Sequence, residues 1–455
     1  MSAMTPIRST PPLTLGIAGL ATAGLLLFAP LYSEAETTFS LPVTEQTTPN
    51  GIVFWHLEAP TIPIVSVEIS FASGARLDPE GLEGLSRLTM GLLDEGAADR
   101  DAVAASDAAD ALNARFGFSA RRDSVNVTAR MLEESLEPSA QLLNDRLVRP
   151  RFDEAAIERV RTQALSGIAG DETDPRAQAS KAFYKRLFPD HPYGRSVDGT
   201  AESVGAITRD DLVAQRARLM SLDRAHVAVV GAVDAERAGR IVDTILAGLP
   251  ETAAADAALP PAPELSPPPG VEVVNLEIPQ SVAIFGHAGI PRDDPDYIPA
   301  FVMNYILGGG GFSSRLMTEV REKRGLAYGV YAYLADIDGA PLYLGSVSTE
   351  NERIGESLDV IRAEWTRMAE NGVTEQELAD AKRYLTGAFP LRFDSNGKIA
   401  GFLVAAQEYD LGLGYIAERN GLVEAVTRED IARVAARLLD ADALSTVVVG
   451  QPAGL

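Results

Sequence analysis

The sequence predicts an α+β protein of two similar halves, each a mainly antiparallel β-sheet with helices packed on one face. Three observations lead there. A Pro-rich run divides the chain, the same succession of helix and strand signals recurs on both sides of it, and strands and helices are mixed without strict alternation, which disfavours a doubly wound sheet. From Thr252 to Gly270 the chain is Ala-rich and then reads Pro-Pro-Ala-Pro-Glu-Leu-Ser-Pro-Pro-Pro-Gly. That composition predicts an extended linker, 252–270, between a first domain at 36–251 and a second at 271–455.

The recurrence is specific. Ile207-Thr208-Arg209-Asp210-Asp211-Leu212 returns as Val426-Thr427-Arg428-Glu429-Asp430-Ile431, each a capped helix start. Each helix leads to an apolar strand, Val227–Gly231 or Thr446–Gly450, and the step from Thr208 to Gly231 equals that from Thr427 to Gly450, 23 positions. Upstream, Asp153-Glu154-Ala155-Ala156-Ile157 matches Thr374-Glu375-Gln376-Glu377-Leu378, and Asp78-Pro79 matches Asp294-Pro295. A tandem duplication accounts for the agreement. Thr61 to Ala72 and Val271 to His287 are dense in β-branched residues and open the two halves as strands. Asp107 to Phe116 and Leu132 to Leu147 read as amphipathic helices with solvated charges.

The first 35 residues carry Arg8, an uncharged apolar run from Leu13 to Phe28, and Ser33-Glu34-Ala35 with small residues where a signal peptidase reads. They predict a secretory signal and a periplasm-like destination. An uncleaved membrane anchor is the alternative, weakened by Gly16, Gly19, Gly24 and Pro30. The chain has no cysteine, so disulfides and thiolate metal sites are unavailable. Its net charge of −24 argues against nucleic acid and anionic lipid as partners. Gly308 to Gly311 lacks the Gly-Lys-Ser/Thr that a phosphate loop needs, and no serine lies in a Gly-x-Ser-x-Gly elbow.

The most informative stretch is Gly311 to Tyr328. Ser313 or Ser314 can cap a helix, Leu316, Met317 and Val320 recur at helical spacing, and Gly325 supplies a left-handed stop. A strand from Ala327 to Leu334, a turn at Asp336–Gly339 and a second strand from Leu342 to Val347 follow. The runs GGGFSSRL and VREKRGLAY closely resemble the C-terminal half of the pitrilysin, or insulinase-type, zinc peptidases, which include mitochondrial processing peptidase. The resemblance extends from about Pro49 to Val449. It implies two homologous domains closed like a clam shell, and an arginine and a tyrosine seven residues apart that face substrate, here Arg321 and Tyr328. The chemistry suits those roles: a guanidinium can hold a peptide carbonyl, and a phenol can donate to a developing oxyanion. On residue types alone, a helix-end arginine and a half-buried strand tyrosine are equally ordinary structural groups.

An active member would carry His-x-x-Glu-His on the first long helix, expected here over Glu80–Gly96. Arg87 stands at the first histidine, Met90 at the glutamate and Gly91 at the second histidine, and the third ligand position falls at or near Gly167. Arginine keeps its proton, this thioether is too soft and glycine has no donor, so no zinc or other cofactor is expected on this chain. His56, His191, His226 and His287 are scattered and none pairs with another one helical turn away. The resemblance then implies the zinc-free subunit of a secreted heterodimeric metallopeptidase, inactive alone, completing the cleft of a zinc-bearing homologous partner that acts on peptides or unfolded segments. The alternative is a scaffold or peptide-binding protein of the same fold, like the relatives that became core subunits of a respiratory complex. A zinc-independent hydrolase has no residue set to support it.

Overall fold

The computed structural model describes residues 39–265 and 267–455; the predicted signal segment lies outside them. The first half runs β1 (Thr44–Thr47), β2 (Val53–Glu58), β3 (Ile64–Ala72), α1 (Leu85–Leu92), a two-residue ribbon of β4 (Gly96–Ala97) and β5 (Arg100–Asp101), α2 (Ala102–Ala111), β6 (Arg115–Ala120), β7 (Ser124–Leu132), α3 (Leu136–Val148), α4 (Glu154–Asp171), α5 (Pro175–Leu187), α6 (Ala201–Ala206), α7 (Arg209–Leu219), β8 (Ala225–Gly231) and α8 (Ala235–Leu246). The second runs β9 (Gly270–Asn275), β10 (Gln280–Ala288), α9 (Tyr297–Asn304), β11 (Gly329–Ala335), β12 (Leu342–Glu350), α10 (Ile354–Asn371), α11 (Glu375–Ala388), α12 (Asn396–Glu408), α13 (Tyr415–Ala425), α14 (Arg428–Leu438) and β13 (Ser445–Gly450). None of the described helices is long and apolar enough to cross a membrane.

The sheets are ordered β1-β2-β8-β3-β7-β6 and β9-β13-β10-β12-β11. Leaving out β1, they agree strand for strand in order and sense. β2 with β8 and β9 with β13 run parallel, and every other pair in the two sheets is antiparallel. Local chemistry sets the same entry into both inner strands. Thr208 and Asp211 cap α7 reciprocally, Thr427 and Asp430 do so for α14, and each arrangement satisfies two otherwise orphaned amides at the helix start.

Strand alternation divides each sheet into two faces. Val65, Val67, Ile69 and Phe71 of β3 point into a core shared with Leu85, Leu143, Leu212 and Ile245 from helices of the same half. The opposite face is covered by α12 of the second half, whose Ile399 and Leu403 pack with Trp55, Leu57 and Val230. The second sheet mirrors this arrangement. Its own helices supply one core, while α5 of the first half lays Phe183 and Leu187 on Val282, Leu344 and Val447. Each sheet therefore has its own helices on one face, as expected, and a helix from the other half on the second.

Polar contacts reinforce this exchange. The buried Arg76 donates to Asp338 Oδ2 in the β11–β12 turn (2.6 Å), to Ser73 O (3.0 Å) and to Asp123 O (3.3 Å), and Tyr193 donates to Asp338 O (2.9 Å). Ser70 on β3 donates to Glu408 at the end of α12. Beside it, burial pushes the Glu68 carboxyl up to about 7, opposed in part by Arg121.

Three local expectations change. The helix anticipated over Glu80–Gly96 is confined to α1, because Gly81 (φ 81°) and Gly84 (φ 90°) are left-handed. The helix anticipated over Asp107–Phe116 stops at Ala111, and after Asn113 (φ 52°) the chain becomes β6. The Ala/Pro-rich stretch is held more firmly than its composition predicts. It makes one short turn, Ala255–Ala257, with Ala257 fully buried, and the carbonyl of Pro261 lies 3.1 Å from His191 Nε2.

Candidate functional site

Arg321 and Tyr328 stand at the two ends of a braced turn. Ser314, in extended conformation, accepts from the amide of Met317 and starts the helix (3.3 Å). Leu316, Met317 and Val320 are buried, and Arg315 pairs with Glu377 at 2.6 Å. The helix widens to a π-helical turn over Met317–Glu322 and ends at the left-handed Gly325 (φ 61°). The amide of Gly325 donates to Arg321 O and that of Leu326 to Val320 O, both at 2.9 Å. From β12, Thr349 donates to Leu326 O, and Arg353 donates to Gly325 O at 2.8 Å.

With its backbone so fixed, Tyr328 projects outward, 86% exposed. The Arg321 guanidinium lies 4.7 Å from the Phe312 ring centroid and 5.4 Å from that of Tyr328, an orientation favoured by the negative faces of both rings. Among the described residues no carboxylate or carbonyl receives its N–H groups. The pair opens on a cleft of about 670 Å³ lined also by Gln280, Ser346, Ser348 and, from α5 of the other half, Arg176.

A second cleft, of about 510 Å³, lies between α1, α4 and β6. Arg87, Gly91 and Gly167 all line it, so three of the four positions assigned to the degenerate metal motif come together. Met90 does not line it; its side chain is fully buried in the first-half core. Arg87 Nε is ion-paired with Asp198 Oδ1 at 2.7 Å. A Cβ at Gly91 would meet Val160 Cγ1 at an ordinary 3.5 Å and one at Gly167 would meet nothing within 4 Å, so the glycines leave open space where donor side chains would be needed. The residues present do not fit a zinc ion. Among the described residues no three His, Asp or Glu groups are placed to hold a metal.

Three of the four histidines have other duties. His287 Nε2 accepts from the Trp365 indole at 3.0 Å while its Nδ1 donates to Ala288 O at 2.7 Å, and burial lowers its pKa. His56 is buried against Val233 O at 3.0 Å. His191 Nδ1 accepts from the Tyr193 amide at 3.2 Å.

The α4–α5 connection runs between the two clefts: Asp171, the last residue of α4, lines the first, and Arg176, in the first turn of α5, lines the second. Sequence reasoning missed Phe312, Thr349, Arg353 and Asp198. An exposed aromatic directly after four glycines was a signal available for Phe312, whereas nothing local pointed to the other three.

Comparisons with known proteins agree with this geometry. The family model described as "Insulinase (Peptidase family M16)" matches residues 54–201, and that described as "Peptidase M16 inactive domain" matches residues 206–385. The non-peptidase homolog YmxG of Helicobacter pylori is 28% identical over 332 residues, 73% of this chain and 76% of that protein. An uncharacterized zinc protease of Streptomyces coelicolor is 28% identical over 366 residues, 78% of each. The crystal structure of a peptidase M16 inactive domain from Pseudomonas fluorescens superposes with a TM-score of 0.84 at 31% identity, covering 90% of this chain and 98% of that one. With the matched models covering most of the chain and the pitrilysin-like arrangement of both halves in place, the chain belongs to the peptidase M16, or insulinase, family.

Proposed function

We propose that this chain is the metal-free subunit of a secreted two-chain zinc peptidase and that Arg321 and Tyr328 complete the cleft of a homologous partner carrying the zinc. The observation that carries the reading is the contrast between the two clefts. Arg87 is neutralised by Asp198 where a metal ligand would stand, while Arg321 and Tyr328 keep their hydrogen-bonding groups free and their backbone braced. The partner's zinc supplies the hydrolytic chemistry. Arg321 holds a backbone carbonyl of an extended peptide, and the Tyr328 hydroxyl donates to the scissile carbonyl oxygen as negative charge grows on it. The fusion of two repeats by duplication and a periplasm-like location belong to the same proposal.

The test mixes the purified chain with a His-x-x-Glu-His homologue encoded by the same organism and follows cleavage of an unstructured peptide. Turnover is expected only from the mixture and is abolished by chelator. Tyr328→Phe should lower kcat of the mixture by about a hundredfold to a thousandfold with little change in KM, the effect of losing one oxyanion donor. Turnover by this chain alone, or an unaltered kcat in the variant, refutes the assignment. A chain that associates with no such homologue fits the scaffold alternative instead.

A further inference from the structure

We infer that Arg176 is a second substrate-holding guanidinium of the Arg321–Tyr328 cleft and that this cleft selects peptides bearing carboxylates. The inference deepens the proposed function, since it rests on that cleft being the place where peptide lies. Three arginines line the space, Arg176, Arg321 and Arg353, against one carboxylate, Glu350. Glu350 is already paired with Arg353 at 3.0 Å, and Arg353 is further engaged by Gly325 O. Among the described residues neither Arg176 nor Arg321 has a side-chain partner that takes its charge. The neighbouring Asp174 carboxylate is occupied as a helix cap, accepting from the amides of Arg176 and Ala177 at 2.7 and 2.9 Å.

Most arginines of this chain of net charge −24 are tied to acids, as Arg315 is to Glu377 and Arg437 to Asp294, and here two open guanidiniums line one cleft. They also come from different halves, and the packing of α5 on the second sheet brings Arg176 to the cleft. Guanidinium forks match carboxylates with two parallel hydrogen bonds. The surrounding acidic surface repels such a peptide, but at physiological salt the Debye length is about 8 Å, so charges inside the cleft outweigh those farther off.

The experiment measures fluorescence anisotropy of labelled unstructured peptides of equal length with the purified full chain alone. The peptides are Glu-rich with an amidated C-terminus, neutral with a free C-terminal carboxylate, neutral and amidated, and Lys-rich and amidated. At least one carboxylate-bearing peptide should bind about tenfold more tightly than the neutral amidated one, and which of the first two does so identifies a side-chain or a terminal carboxylate. The preference should shrink at high salt. Arg176→Gln should reduce it about tenfold and Arg176→Lys restore it in part, with the melting temperature unchanged because this side chain is exposed. Equal binding of all four peptides, preference for the Lys-rich one, no binding of any, or indifference to Arg176→Gln overturns the inference. None of these readouts needs the partner, so absence of turnover in the mixture would sink the proposed function while leaving this result standing.

Discussion

Arg321 shows how much of a side chain's behaviour depends on neighbours that its own sequence context does not name. Its spacing from Tyr328 is legible, being set within a single helix-to-strand turn, whereas the ring of Phe312 beneath its guanidinium is a fact of folding. Replacing Phe312 with Ala should release the guanidinium from one of its two rings. An exposed cation–π contact is worth about 0.5–1 kcal/mol, so KM of the proposed two-chain peptidase should rise roughly twofold to fivefold while kcat holds. Arg87 teaches the converse. Its place in the first-half helix could be read from the sequence, but its pairing with Asp198 could not, because the two meet only through the tertiary fold. Glu68 lies beside α12 of the other half, its folded-state pKa raised from 4.5 to about 7 by burial. Between those values the unfolded chain releases the proton and the folded chain keeps it. Stability is therefore lost as pH rises through that window, by about 3 kcal/mol in all. Glu68→Gln should be more stable than the parent in urea titrations at pH 8, and the gap should close near pH 4.5.

At the scale of the element, local signals read well and pairing partners read poorly. The caps at Thr208 and Thr427 were visible because a capping box lies within four residues, and both form. β6 was missed. Arg115-Phe116-Gly117-Phe118 alternates weakly, follows a genuine helix, and becomes an edge strand only because β7 pairs with it. That error mattered, since β6 forms one wall of the cleft lined by Arg87, Gly91 and Gly167. The opposite wall, α4, contains Gly167 with no atom near its missing Cβ. Glycine inside a helix costs about 0.5–1 kcal/mol relative to alanine. Gly167→Ala should therefore raise unfolding free energy by that amount in denaturant titrations, and a loss of stability would show that the open space at this position is needed.

The whole molecule is organised by the reciprocal placement of α5 and α12, which no sequence signal announced, because apolar periodicity reports that a helix face is buried and not what buries it. The likeness of the two halves was legible; their dependence on each other was not. Each half leaves one sheet face bare without its counterpart, so neither should fold by itself, and unfolding of the intact chain should occur in one transition by circular dichroism and tryptophan fluorescence alike. Two resolved transitions would contradict this. The turn between β11 and β12 adds a polar clasp. Asp338→Ala removes the one carboxylate among the acceptors of the buried Arg76 and should cost about 1–3 kcal/mol, less than for a fully buried pair because Asp338 itself is largely exposed. The exchanged helices also change what covalent continuity means for this protein. A protease that nicks the Pro-rich segment would sever one peptide bond and yield two polypeptides that still travel as a single particle through a sizing column, parting only when denaturant is added.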